Sequence, residues 1–226
     1  MAGLILLQGV PFVMRLGLTM AVRSLLAGDR LCWVDGVNAF DPYAVARLAK
    51  RAGRSPKELL ARVYVSRAFT CHQLHALVVG RLPRAVSELP ADGVVAVGLG
   101  ATFHDDEVPV AEATALFDEV VRGLERLVAQ GVPVLVVNPY LPQDYREPRF
   151  AQALARAASV VLAVDPAEDG LALRVRPDRK GRVPRPASRD PSTGWVPRAK
   201  DGLRHHGLRS RLREGTWAAA LAGAVG

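Results

Sequence analysis

A chain of 226 residues and 24.3 kDa, half hydrophobic and 6% aromatic, is long enough for one domain with a real core. Its two cysteines, Cys32 and Cys71, are far apart and match no metal spacing, so a reducing cytoplasm is the expected compartment. The net charge of +8 is unevenly placed: residues 174–213 carry 13 Lys/Arg against 3 Asp/Glu, while the rest carries 17 against 19. The opening apolar stretch, residues 1–10, is too short for a bilayer and is followed by Pro11 and Arg15. No small-residue cleavage site comes after it, so neither a signal peptide nor a membrane span is expected.

Residues 4–7 form a short apolar run, and residues 13–26 have helical periodicity ended by Gly28. Leu31–Asp35 reads as a buried strand. A helix over residues 41–52 comes next, with Pro42 in its first turn and Gly53 at its end. Ser55-Pro56-Lys57-Glu58 has the pattern of a capping box opening a short helix, residues 56–61. Residues 62–66 are extended, and residues 71–82 are an amphipathic helix.

Residues 93–99 are a β-branched run with the marks of a central strand. Residues 110–130 form a long helix whose stripe carries Leu116, Val120, Leu124 and Leu127. Gly131 ends it, and residues 132–137 are a further strand. Helix 150–158 and strands 160–164 and 171–175 complete the pattern. Strands alternating with helices predict an α/β fold with a doubly wound, mainly parallel sheet, which takes ligands beyond the carboxyl ends of its strands. After Arg176, prolines recur among arginines without an apolar period. The expected division is a core over residues 1–176 and a basic Pro/Arg-rich arm over residues 177–226, a hairpin with a short apolar end.

The first strand–turn–helix stands where a phosphate-binding loop would. That loop needs Gly-x-x-x-x-Gly-Lys followed by Ser or Thr, so that backbone N–H groups wrap phosphate, Lys reaches it and the hydroxyl holds Mg²⁺. Here the residues are Gly9-Val10-Pro11-Phe12-Val13-Met14-Arg15-Leu16, and only the first glycine is kept.

Residues 35–73 carry a far more specific pattern. Asp35-Gly-Val-Asn38-Ala-Phe40-Asp-Pro42, then a helix, a Pro-containing turn, and Tyr64-Val-Ser-Arg67-Ala68-Phe69-Thr-Cys-His72-Gln73 stand in order. This stretch closely resembles the segment after the P-loop in archaeal and eukaryotic RadA-type recombinases. More weakly, the likeness runs to about residue 180, through strands 93–99 and 132–138 and the Arg179-Lys180-Gly181 turn. The resemblance implies a RecA-like core.

The resemblance also places the family's chemistry on residues that cannot perform it. The glutamate that activates water falls on Val37, the Walker B aspartate on Gly98, and the glutamine that senses γ-phosphate on Pro139. Arg15 replaces the lysine and Leu16 the magnesium-binding hydroxyl. No catalytic residue and no cofactor are therefore expected, and hydrolysis of ATP is not. Gly9, Arg15 and Asp35 are what is left of a nucleotide site. Arg15 at a helix start could meet a phosphate, but a solvent-exposed helix arginine is favoured. Asp35 could ligate a metal, but a cap or ion-pair role is favoured. Arg67, His72 and Gln73 are expected to hold the strand–helix junction. The chain begins at its first strand, without the helical domain and Phe-containing linker of that family, so filaments of the family kind are not expected.

The segment His104-Asp105-Asp106-Glu107 stands where the family has its first DNA-binding loop, yet is acidic. A solvated loop before the long helix is favoured over new chemistry there. Tyr140, Tyr145, Arg146 and Arg149 stand where a second such loop would lie, able to stack on and pair with a strand or, equally, to form a packed loop. Nucleic acid is instead expected on the arm: Arg174, Arg176, Arg179, Lys180, Arg182, Arg185, Arg198, Lys200, Arg204, Arg209, Arg211 and Arg213, beside His205-His206. The reading is a non-catalytic RecA/RadA-like accessory factor in DNA recombination or repair. DNA is its expected partner, with an active RecA/RadA-like protein, a polymerase or another repair protein, and no membrane. The alternative is a RecA-fold scaffold in another assembly, its arm contacting RNA or an acidic protein surface.

Overall fold

A computed structural model describes residues 3–140, 148–167, 170–176 and 203–205. Seven strands follow the chain: β1 (Leu4–Gly9), β2 (Leu31–Asp35), β3 (Val63–Arg67), β4 (Gly93–Val97), β5 (Val134–Pro139), β6 (Val160–Ala167) and β7 (Gly170–Arg176). They form one sheet in the order β3-β2-β4-β5-β1-β6-β7, with a three-residue β8 (Leu203–His205) beside β7. The first six are mutually parallel; β7 runs antiparallel to β6, and β8 parallel to β7. The α/β class and mainly parallel sheet expected from the sequence are what is observed.

Helices cover both faces. Connections from β1 to β2 and on to β3 run towards one sheet edge through α1 (Phe12–Ala27), α2 (Pro42–Arg51) and α3 (Pro56–Leu60). Connections from β3 to β4, β5 and β6 run the other way. They carry α4 (Cys71–His75), a π-helical segment (Ala76–Arg81), α5 (Leu82–Glu88), α6 (Val110–Ala129) and α7 (Arg149–Ala157). A parallel crossover keeps one hand, so reversing direction moves the helix to the opposite face. Two separate cores result: Met20, Leu25, Val45 and Leu59 pack on Trp33, Leu135 and Val137, while Leu74, Phe117 and Leu124 pack on Val34, Ala96 and Val136. Successive residues of β4 and β5 alternate between these cores, as the two-residue strand period requires.

Side-chain caps set two of the helix starts. The Asp41 carboxylate accepts the N–H groups of Tyr43 and Ala44 at 2.8 and 3.0 Å, and Pro42 begins α2 with a preset φ. The box expected at Ser55 is not made: its side chain caps nothing. A related arrangement occurs instead at Thr70, whose hydroxyl accepts the Gln73 N–H at 3.2 Å while the Gln73 side chain accepts the Phe69 N–H at 2.9 Å. The helix expected to end at residue 82 runs on to Glu88 through the π segment. Pro83 has no N–H and its ring crowds the carbonyl four residues back, a conflict that the wider π turn relieves.

Candidate functional site

The strand order reverses at β1, between β5 and β6, and again between β2 and β4; a doubly wound sheet takes ligands at such places. At the first, the chain leaves β1 and enters α1 within two residues, three positions ahead of Arg15. No loop is left to wrap a phosphate. The Val10 N–H donates to the Val164 carbonyl at 3.1 Å, Pro11 has none, and Val13 and Met14 donate back to Val10 and Pro11 at 3.0 and 3.1 Å. The Tyr140 N–H closes the same turn on the Gly9 carbonyl at 2.7 Å. Gly9 is required there, at φ 142° and with the Val164 carbonyl where a Cβ would stand. Arg15 lies exposed on the solvent side of α1.

The second crevice is filled by the chain itself. Gly98, just past β4, stands at φ 63°, a left-handed conformation that an aspartate adopts only at a cost. A Cβ there would overlap the Val37 side chain, Cγ2 at 2.7 Å. Val37 and Gly98 thus form one apolar contact: a valine seated over a bare glycine. Asp35 is fully buried, and its carboxylate accepts the N–H groups of Ala39 and Phe40 at 3.0 and 2.9 Å and, more weakly, of Val37 at 3.3 Å. Arg67 Nε approaches it to 3.7 Å. Asp35 organises the 36–40 loop, the structural role favoured for it. Among the described residues, neither crevice offers a set of groups that fits a magnesium-bound triphosphate.

The remaining residues singled out in the sequence are bound into structure. His72 Nε2 meets Glu112 Oε1 at 2.9 Å and His75 Nε2 meets Glu119 Oε2 at 2.5 Å, tying α4 to α6. The His75 contact holds the Glu119 carboxyl below its ordinary value. Asp105 accepts the Glu107 N–H at 3.0 Å and shapes the acidic turn, while the His104 ring stands edge-on to Phe150 at 5.1 Å. No group of three His, Cys, Asp or Glu among the described residues is placed to hold a metal. Arg149 reaches the Thr114 hydroxyl at 3.5 Å and lies over the Phe150 ring. Both thiols are buried; burial pushes Cys32 to about 11 and raises Cys71.

An open concavity among the described residues lies elsewhere. A groove of about 570 Å³ runs between the β2–β3 edge and the α4–π–α5 helix. Cys32, Val34, Leu77 and Leu82 give it an apolar floor, and Arg67 and Phe69 line it as well, Phe69 being 68% exposed. β3 is the last strand of the sheet, so its outer N–H and C=O groups border this groove. Sequence reading missed it: alternation marked β3 as a strand but could not say that it stood at an edge.

Of the basic residues expected to meet nucleic acid, Arg174 is exposed on β7 and Arg176 ends that strand. Arg204 and His205 lie in β8. Arg179, Lys180, Arg182, Arg185, Arg198, Lys200, Arg209, Arg211 and Arg213, with Tyr145, Arg146 and His206, fall outside the described residues. No protein-family model matches the chain, and no curated protein matches it. No helix among the described residues is long and apolar enough to cross a membrane.

Proposed function

We propose that this chain is a RecA/RadA-like protein that no longer hydrolyses nucleotide and acts as an accessory factor in DNA recombination or repair. It docks a protein partner through the core and contacts DNA through the basic arm. The observation that carries the reading is Val37 seated over Gly98 at the crevice where hydrolytic carboxylates would stand. Phosphoryl transfer depends on positioned charge, and an aliphatic contact supplies none. The collapsed β1–α1 turn supports the same conclusion from the phosphate side.

Docking has its own support. An unpaired edge strand beside an apolar groove suits an extended segment that adds to the sheet and places one apolar side chain in the floor. An active RecA/RadA-like protein, a polymerase or another repair protein is the partner class. The arm suits a phosphate backbone, and its contacts would weaken steeply with salt.

The test is purification of the full chain with and without nuclease, then measurement of ATP turnover and DNA binding. Co-purification of a recombination or repair protein that survives nuclease, no turnover, and DNA binding weakened by R209Q/R211Q/R213Q are expected. Turnover of ATP that Arg15→Ala removes would overturn the reading.

A further inference from the structure

The described core is electrically two-sided. From α1 to the start of β3, residues 12–62, the sequence carries nine Lys/Arg against four Asp/Glu; from residue 63 to 140 it carries five against nine, to which α7 adds only Arg149 and Arg156. The first stretch supplies the helices of one sheet face and the second most of those on the other. Along the length of the chain these cancel. Across the sheet they do not.

The positive side is concentrated on α2 and the turn after it. Arg47, Lys50, Arg51, Arg54 and Lys57 are all exposed. Arg47 meets the cap residue Asp41 at 3.4 Å, whereas Lys50, Arg51, Arg54 and Lys57 form no ion pair among the described residues. Helix-dipole complementarity accounts for Lys50 and Arg51, which sit in the last turn of α2. It does not account for Arg54, which lies between the helices, while Lys57 falls within the single turn of the five-residue α3, where both helix ends are close. Arg47, Lys50 and Arg51 also stand three and four residues apart, the spacing at which like charges on a helix repel. A face kept merely soluble would intersperse signs, and here the helix itself carries no acid.

At the far end of this row stands Tyr43, the most exposed large hydrophobic side chain described, at 76%. Residues 43, 47 and 50 fall on one stripe of α2 at spacings of four and three. From Tyr43 to Arg51 the rise is about 12 Å, a length that spans more than one nucleotide of a single strand. An exposed ring beside a row of unpaired cations is the arrangement that stacks a base while tracking its backbone.

We propose that the α2–α3 surface binds single-stranded nucleic acid, with Lys50, Arg51, Arg54 and Lys57 on successive phosphates and Tyr43 stacking a base. This rests on the proposed role in DNA recombination or repair and deepens it, adding a contact on the folded core that is separate from the arm. The test uses the full chain and labelled oligothymidylate and oligouridylate of about 20 nucleotides, with salt titrations. K50Q/R51Q/R54Q/K57Q is expected to lower the salt slope by about 3, at roughly 0.7 per phosphate contact, with unchanged thermal unfolding. Tyr43→Ala is expected to weaken single-strand binding at least ~5-fold while leaving the slope and duplex binding unchanged. Thymidylate against uridylate separates DNA from RNA as the strand bound. If the patch variant binds like the parent while R209Q/R211Q/R213Q loses affinity, this inference fails and DNA binding by the arm stands. If the parent binds no nucleic acid at low salt, both fail. Competition by polyglutamate as effective as the oligonucleotide, with Tyr43→Ala neutral, assigns the surface to an acidic polypeptide and overturns the proposal.

Discussion

At the scale of single residues, the most informative contact is Val37 against Gly98. The positive φ of Gly98 and the valine methyls above it act on the same Cβ position, so any side chain there meets both penalties. Gly98→Ala is expected to destabilise the fold by about 2–4 kcal/mol in denaturant unfolding, and Val37→Ala in the same chain to recover part of that loss. Strict additivity of the two substitutions would show that the residues do not share the crevice. The thiols make a second residue-scale prediction. Cys32, buried and raised to about 11, and Cys71, buried and raised, remain protonated and enclosed at pH 8. A thiol reagent should therefore label neither in native protein and both after unfolding. Rapid native labelling would mean that the β2 face of the groove opens.

At the scale of elements, what could be read in the sequence came from what is local. Apolar periodicity located every strand from β1 to β7 and most helices, because an amphipathic face or a buried run is written in neighbouring residues. The capping box was misplaced because Ser55-x-x-Glu58 and Thr70-x-x-Gln73 have the same pattern, and only packing decides which side chain turns inward. Thr70→Ala should cost about 1 kcal/mol of unfolding free energy and Ser55→Ala close to none, a contrast that chemical denaturation resolves. The edge position of β3 and the charge row on α2 were not legible. The first depends on strand order; the second is a run of five Lys/Arg without an acid over residues 47–57, but that these cations share one exposed surface depends on how α2 and α3 pack. Pairing between elements also gives a pH dependence. The Glu119 carboxyl is held low by its hydrogen bond to His75, so the contact stabilises the fold above the ordinary glutamate value of 4.5 and is lost as pH falls through the lowered one. Glu119→Gln should accordingly lower the unfolding midpoint at pH 6, with the difference from the parent shrinking as pH falls below 4.5; a difference that does not shrink on acidification would show that the carboxylate charge is not what stabilises the contact.

At the scale of the whole molecule, strand order ranks the sheet by protection. β4, β5 and β1 have strand neighbours on both sides and helices on both faces, so their amides exchange only when much of the fold opens. Among the described residues β3 is bonded on one side alone, to β2. The Ala68 N–H points inward, donating to the Asp35 carbonyl at 3.1 Å. Because strand N–H groups alternate in direction, those of Ser66 and Tyr64 point inward too, while those of Arg67, Val65 and Val63 point to the open edge. Hydrogen exchange should then show an alternating pattern along β3. Arg67, Val65 and Val63 should exchange at least about 100-fold faster than the amides of β4 and β5, with Ser66 and Tyr64 between them. A partner segment that adds to this edge would bond the outward set and slow those three amides selectively. A partner bound elsewhere would leave their exchange unchanged. Loss of the alternation in the free protein would mean that another part of the chain, or a second copy, already occupies the edge.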